Sequence, residues 1–192
     1  MKTDGVWVLS VLGVVGQVLI VVLLLMGLLA LFGVRGPLNA LRGWLWGYEL
    51  WAAFLVAAIG TGGSLFYSEV AGYIPCELCW FQRLFMYPLS IFLLLMAIWG
   101  ANRAARYIIV LPIAGACVSI YHMLIGYGAI KEPAKCIKSA PGGCGINWIY
   151  AQNLGYLRIE TLAFTGFLLL IAFLVLASAG TADEAATLPA DA

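Results

Sequence analysis

The sequence predicts an all-α integral membrane protein, and both its composition and its long charge-free runs indicate this class. Of the 192 residues, 64% are hydrophobic and only 10% are charged, and the mean hydropathy is +1.02. Soluble domains carry about 25% charged residues, so this chain is too apolar to be one. Because backbone groups in lipid must be paired internally, the long apolar runs are predicted to be helices rather than open strands.

Five runs approach the roughly 20 apolar residues that a helix needs to cross a bilayer. The predicted spans are residues 6–34, 50–67, 84–101, 107–130 and 161–178. The first run is longer than the apolar region of a signal peptide and no small-residue cleavage site follows it, so we expect it to remain as a helix. In the connection at 35–49, Trp44, Trp46 and Tyr48 beside Arg42 suit a short helix at the membrane interface.

These spans predict three regions along the chain. Residues 1–49 form an N-terminal transmembrane helix and its interfacial connector, and residues 50–180 form a four-helix bundle. Residues 181–192 are small, acidic and without aromatic side chains, which is typical of a disordered tail. The formal net charge is +1 and no Lys/Arg cluster is present, so the sequence excludes nucleic acid as a partner.

The cysteines carry the informative chemistry of this chain. Cys117 falls in the middle of a span, where we expect a thiol to behave as a small buried hydrophobe. The other four form two pairs in polar segments, Cys76 with Cys79 and Cys136 with Cys144. Two spans separate the pairs, and an even number of crossings returns the chain to the same face. Both pairs are therefore predicted on one side of the membrane.

The first pair has the C-x-x-C spacing that is usual in thiol–disulfide exchange, whereas a bridge across so small a loop adds little stability. We place Pro75 in the first turn of a helix, which puts Cys76 and Cys79 near a helix N-terminus that favours the thiolate. Arg83 lies four residues after Cys79 and is predicted on the same helix face. It is either a functional residue or an arginine that reaches back to the interface.

The second pair, in "CIKSAPGGC", allows more than one interpretation. Seven residues between the cysteines exceed the two to four that zinc sites prefer, so we predict no metal. A loop-closing disulfide suits the spacing, with Pro141, Gly142 and Gly143 forming a turn that returns Cys144 to Cys136. From these residues alone the bridge is either redox-active or purely structural.

The full pattern resembles a known family. A C-x-x-C followed by three residues and an arginine enters a membrane span; two spans, a loop cysteine pair and a final span follow. This order is similar to the disulfide-bond-formation protein B (DsbB) family, and the short second loop is similar to its BdbC-type members. The resemblance covers roughly residues 50–178 and implies a four-helix bundle, to which the first span of this chain is an addition.

The resemblance also implies a function. Proteins of this kind oxidise a secreted or periplasmic thioredoxin-like disulfide carrier (DsbA or BdbD type) and pass the electrons to a membrane quinone, ubiquinone or menaquinone. The implied site residues are Cys136 and Cys144 toward the partner, Cys76 and Cys79 toward the quinone, and Arg83 and His122 at the quinone site. His122 is alternatively a histidine that is simply hydrogen-bonded within its span.

The implied location is the bacterial cytoplasmic (inner) membrane, with several crossings. Basic residues lie on both predicted sides of the membrane, so their distribution does not determine the orientation. A disulfide donor needs an oxidising compartment, and the cysteine pairs are therefore expected on the extracytoplasmic face. The N-terminus would then lie outside and the C-terminus inside.

Two alternatives remain at this stage. A vitamin K epoxide reductase-like protein also couples a C-x-x-C to a quinone, but in that family the loop pair precedes the C-x-x-C and here it follows. A structural membrane protein or a transporter with two passive disulfides is the other alternative. The predicted spans contain no acidic residue that would mark a substrate path, which disfavours a transporter.

Overall fold

The computed structural model describes residues 2–34, 36–146 and 157–187, and within these ranges the chain is helical and contains no strand. The α-helices are α1 (Lys2–Leu31), α2 (Gly36–Leu45), α3 (Glu49–Leu65), α4 (Glu77–Trp99), α5 (Ala105–Ile108), α6 (Val110–Gly126), α7 (Ala134–Ser139) and α8 (Ile159–Thr187). A π-helical turn, Phe66–Val70, continues α3, and a 3₁₀ turn, Asn102–Ala104, precedes α5.

Five helical stretches in the described ranges are long and apolar enough to cross a membrane, as the sequence predicts. They are Asp4–Leu31, Glu49–Val70, Glu77–Trp99, Asn102–Gly126 and Ile159–Ala179. The third begins at Glu77, seven residues before the predicted start at Leu84. The predicted span began only after Arg83, but in the folded bundle Gln82 is buried against α6 and the half-buried Arg83 donates to Ser64 on α3, so the helix includes both residues.

Four helices, α3, α4, α6 and α8, form the predicted bundle. Helix α3 packs against α4 and α8, and α6 packs against the same two helices. The centre is filled by large side chains with no exposed surface: Leu89, Leu93, Phe167, Leu170 and Leu174. Gly115 allows α6 to approach α8 closely, because a Cβ there would collide with the ring of Phe167. The centre of the bundle is therefore held by close packing between helices.

Helix α1 lies outside the four-helix core and packs along α8. Near its start, Val6 is buried in a cluster with Tyr67 at the end of α3, to which Tyr73 and Ile159 add partly buried surface. The N-terminal end of α1 is thus at the same end of the molecule as the beginning of α4. Helix α2 forms over the connector for which a short helix is predicted.

Helix α8 is longer than predicted. It continues to Thr187, past the expected boundary at 180, whereas residues 181–192 are predicted to be disordered. The segment 181–187 is rich in Ala and includes Glu, both strong helix formers, so it can extend a helix that is already nucleated. The rest of the predicted tail, 188–192, lies outside the described residues.

Candidate redox site

Cys76 is the N-terminal cap of α4. Its backbone is extended (φ −73°, ψ 171°), and its sulfur accepts a hydrogen bond from the backbone N–H of Cys79 at 3.3 Å. The sulfur thus satisfies one of the unpaired N–H groups at the start of the helix. Because the helix begins at Glu77, Pro75 precedes the cap instead of lying in the first turn, which corrects the sequence prediction.

Cys76 and Cys79 are free thiols whose sulfurs lie 2.6 Å apart. Hydrogen bonding from Cys79, and then from His122 whose Nε2 is 3.7 Å from the Cys76 sulfur, lowers the pKa of Cys76 to about 5, although burial opposes the shift. These contacts favour the thiolate form of Cys76, and a thiolate is the species that attacks a disulfide.

His122, on α6, joins the two cysteine pairs. Its Nδ1 lies 3.4 Å from the side-chain amide nitrogen of Gln82, which also donates to Ser119 Oγ at 3.1 Å. With Gln82 donating to Nδ1, the proton of the ring is on Nε2. Nε2 faces the backbone carbonyl of Cys144 at 3.0 Å and the Cys76 sulfur. The ring is 2% exposed, so these contacts are shielded from solvent.

Cys136 and Cys144 form the disulfide that their spacing predicts, with Cα atoms 5.3 Å apart. Helix α7 carries Cys136, and the chain returns through Gly142 and Gly143, whose φ angles are +87° and +69°. Glu132 holds the returning segment, because its carboxylate accepts hydrogen bonds from the backbone N–H groups of Cys144 and Gly145.

The two cysteine pairs meet at one end of the bundle. One buried cluster contains Cys76, Ile125, Cys136, Ala140 and Cys144, with Cys79 packed against it. Helix α7 is attached to the start of α4 through Ser139, whose hydroxyl accepts from the N–H of Glu77 at 3.2 Å and donates to the carbonyl of Cys136 at 2.8 Å. The prediction that both pairs lie on the same side agrees with this geometry.

Arg83 is partly buried and is held against α3. Its Nε donates to Ser64 Oγ at 2.9 Å and its Nη2 to the Ser64 carbonyl at 3.0 Å, across the contact between α4 and α3. Its guanidinium carbon lies 5.1 Å from the centroid of the Trp80 ring, which is within cation–π range. Its Nε and Nη2 therefore link α4 to α3 through Ser64, and the choice between the two predicted roles stays a prediction.

A cavity of about 420 Å³ opens beside the first cysteine pair. Its polar end contains Cys76, Cys79, Gln82, Arg83, His122 and Glu160. The remaining walls are mostly aliphatic and come chiefly from α1, α3 and α8, with further residues from α4, the α3–α4 connection and the loop disulfide. This volume is within the usual range for small-molecule sites, about 300–1,000 Å³. The arrangement suits a lipid-soluble molecule with a polar, redox-active head.

Sequence reasoning missed several polar residues of the site. Gln82 and Glu160 are polar groups at the edges of spans, a signal that could have marked them. Glu160 is 2% exposed in the first turn of α8, 3.6 Å from Arg158, so the expectation that the spans contain no acidic residue is wrong. Ser64 and Glu132 give no local signal, because their roles come from distant partners.

Cys117 also differs from its prediction. It is a free thiol on the outer surface of α6, exposed rather than buried. It lies apart from the cluster of the other four cysteines, and its free surface faces outward from the bundle.

Comparison with known proteins agrees with this geometry. Residues 48–177 match the family described as disulfide bond formation protein DsbB. The chain is 39% identical over 132 residues to disulfide bond formation protein C of Bacillus subtilis (strain 168), covering 66% of this chain and 90% of that protein. A probable disulfide formation protein of Deinococcus radiodurans is 34% identical over 131 residues, which cover 66% of this chain and 86% of that protein. No solved structure matches the chain.

The matched segment contains both cysteine pairs, His122, Arg83 and the four helices of the bundle, and leaves out α1. The C-x-x-C at the start of α4 precedes the loop disulfide after α6, which is the order expected from the resemblance and the reverse of the vitamin K epoxide reductase-like order. The chain belongs to the DsbB family of disulfide bond formation proteins, as a BdbC-type member.

Proposed function

We propose that this protein is a thiol–disulfide oxidoreductase that reoxidises an extracytoplasmic thioredoxin-like protein and passes the electrons to a membrane quinone. Family membership and five potential spans make it a membrane disulfide-forming protein. One observation carries the finer proposal: the two cysteine pairs share one buried cluster, and the C-x-x-C pair also lines a largely aliphatic cavity.

The exchange steps follow from the chemistry of the two pairs. A thiolate of the reduced partner attacks Cys136, and the sulfur of Cys144 leaves as a thiolate. The second thiol of the partner then resolves the mixed disulfide, so that the partner is oxidised and the loop pair is reduced. A loop thiolate next attacks the Cys76–Cys79 disulfide, which restores the loop bridge and leaves Cys76 and Cys79 as thiols.

His122 and the backbone N–H of Cys79 assist this transfer by stabilising negative charge on the leaving sulfur of Cys76. Cys76 is thus the better leaving group of its pair, so the attacking loop sulfur is directed to Cys79. Cys136 and Cys144 are each 2% exposed, so a protein thiolate reaches Cys136 only when α7 moves away from α4. The link through Ser139, which lies partly at the surface, is the contact that has to open.

The residues around the cavity fit a quinone. The aliphatic walls match a lipid-soluble molecule, and Cys79 and Arg83 border the polar end. Arg83 supplies N–H groups that can bind a ring oxygen, in addition to the two contacts with Ser64. A bound ubiquinone or menaquinone would supply a two-electron, two-proton acceptor that remains in lipid. The residues themselves orient the ring and exclude water.

The test is quinone reduction by the purified protein, supplied with a reduced thioredoxin-like protein and monitored by quinone absorbance. We expect steady turnover, and its loss to background on Cys76→Ala or Cys136→Ala. The matched control is Cys117→Ala, which removes a thiol outside both pairs and should leave the rate unchanged. Partner oxidation without any quinone consumption, or equal rates in all three variants, would refute the proposal.

A further inference from the structure

Helix α1 contributes to the cavity although it lies outside the family match at 48–177. The α1 residues that line the cavity are Leu9, Leu12, Gly13, Val15, Gly16 and Leu19. They extend over about three helical turns. The extra helix is therefore a wall of the site and not a separate anchor.

The cavity has two chemically different ends. The polar end holds the C-x-x-C pair and Arg83, whereas the walls from α1 and the middle of α3 are aliphatic or glycine and those from α8 are mostly so, with Thr165 and Phe167 as exceptions beyond Glu160 at the polar end. Leu55 and Ile59 lie on the α3 side, and Leu162 and Leu169 on the α8 side. A ligand whose head lies at the sulfurs would thus have its apolar part between these three helices.

Close contact holds α1 in this position. A Cβ on Gly13 would collide with Leu162, and one on Gly16 would lie 3.1 Å from Thr165 and 3.3 Å from Leu169. Because Gly13 and Gly16 carry no side chain, α1 can lie directly on α8. The same short stretch therefore both docks the helix and borders the cavity, so the wall has a defined shape.

We propose that α1 forms, with α3 and α8, a subsite for the hydrocarbon tail of the quinone. This inference rests on the proposed function. Lipid chains are as apolar as these walls, so burial alone does not favour the cavity over the bilayer. The subsite acts by shape: it holds the tail along α1, and so directs the ring toward Cys79 and Arg83.

The test uses two valines of α1 that differ in one respect. Val15 and Val18 are similarly exposed, 57% and 59%, but only Val15 is among the α1 residues that border the cavity. The probe is a prenylated quinone with a photoreactive group on its tail, bound to the full-length protein in lipid nanodiscs. Cross-linked residues are identified by mass spectrometry, a readout that does not depend on turnover.

In the wild-type protein we expect cross-links within residues 9–19 of α1, competed by unlabelled prenylated quinone but not by a benzoquinone without a tail. Val15→Trp should lower this labelling about tenfold, because the indole occupies the tail path, whereas Val18→Trp should not. Leu19→Trp, a second cavity-facing change, should act like Val15→Trp. Val18→Trp, which lies outside the cavity lining, should also reduce the tail-less quinone at the wild-type rate. An intact Cys136–Cys144 disulfide and a cooperative thermal unfolding transition show that all three variants are folded.

Two results would overturn the subsite. One is labelling that misses α1 while prenylated and tail-less quinones are both reduced. The other is equal labelling of Val15→Trp and Val18→Trp. Failure of the proposed function is a separate result, since the wild-type protein would then reduce neither quinone.

Discussion

At the scale of single residues, His122 explains how two cysteine pairs from distant parts of the chain can act together. Its Nε2 contacts both the carbonyl of Cys144 and the sulfur of Cys76. A donor in this position stabilises the thiolate of Cys76 and holds the loop pair against the C-x-x-C. The buried side chain of Gln82 sets the tautomer, so a residue without redox chemistry determines where the proton lies.

The lowered pKa of Cys76 predicts its reactivity in the reduced protein. Alkylation of Cys76 by iodoacetamide should rise as pH increases through about 5 and then level off, because the reactive thiolate is already formed above that pH. The extent of labelling on the Cys76 peptide is measured by mass spectrometry across the pH range.

The hydrogen bond from Cys79 is the main cause of the lowered pKa of Cys76, so substitutions at Cys79 provide the control. Cys79→Ala removes the side-chain donor and should raise the pH midpoint of Cys76 alkylation. Cys79→Ser keeps a donor and should move it less. Labelling that rises only near the pH of an ordinary thiol in the unmodified protein would contradict the assignment of Cys76 as thiolate.

Substitutions at Arg83 distinguish the contribution of its charge from that of its planar donor geometry. Lysine keeps the charge but loses the planar set of donors that contacts Ser64 through two nitrogens. We expect Arg83→Lys to fold and to exchange disulfides normally while the KM for quinone rises about tenfold, roughly 1.4 kcal/mol. Arg83→Ala should raise this KM further. Quinone kinetics of the purified variants measure both effects.

The matched control for this change is Arg106→Lys, at the opposite end of the bundle, where the side chain donates to the hydroxyl of Tyr107. It should leave quinone kinetics unaltered. If Arg83→Lys and Arg83→Ala also reduce quinone with wild-type constants, Arg83 only bridges α3 and α4, and the ring binds elsewhere.

At the scale of helices, the number of spans could be predicted because hydropathy alone determines it. Pro75 also located the start of α4 to within two residues. The start of the third span was predicted seven residues too late, at Leu84, because the prediction ended the span at a charged residue, whereas in the folded bundle Arg83 donates to Ser64. The cysteine spacings indicated the redox site. Ser64 and Glu132 escaped prediction, since contacts between distant segments leave no local pattern.

The short helix α7 and the turn after it depend on Gly143. Its φ is +69°, and a Cβ there would collide with the carboxylate of Glu132. Gly143→Ala should therefore add left-handed strain of about 1–2 kcal/mol and also displace Glu132 from the Cys144 N–H. We expect dithiothreitol to reduce the loop disulfide several-fold faster, as followed by mass shift after alkylation.

Substitution of Gly128 distinguishes the effect of backbone strain from the effect of losing the Glu132 contact. Its φ is +74°, but a Cβ there would meet no atom within 4 Å. Gly128→Ala should lower thermal stability to a similar degree without changing the rate of disulfide reduction. Equal acceleration in both variants would mean that the carboxylate of Glu132 does not hold the loop.

At the scale of the whole molecule, the two ends of the five potential spans carry different residues. One end holds both cysteine pairs and the start of α1, where Val6 packs on Tyr67. The other holds the turn between α4 and α5, with Arg103 and Arg106. Because α1 adds one crossing to the bundle, the start of α1 and the described end of α8 are proposed to lie on opposite sides of the membrane. A disulfide-generating site belongs in an oxidising compartment, so the cysteine end is proposed to face outward.

This orientation predicts the labelling of intact cells. In a Cys117→Ser background, cells are reduced and treated with a membrane-impermeant maleimide, and the purified protein is analysed by mass. Cys136 and Cys144 should be labelled, because reduction frees the loop that buries them. A cysteine introduced by Arg103→Cys lies at the opposite end and should react only after lysis. Labelling of Arg103→Cys in intact cells, with protection of the loop pair, would reverse the orientation and exclude an extracytoplasmic partner.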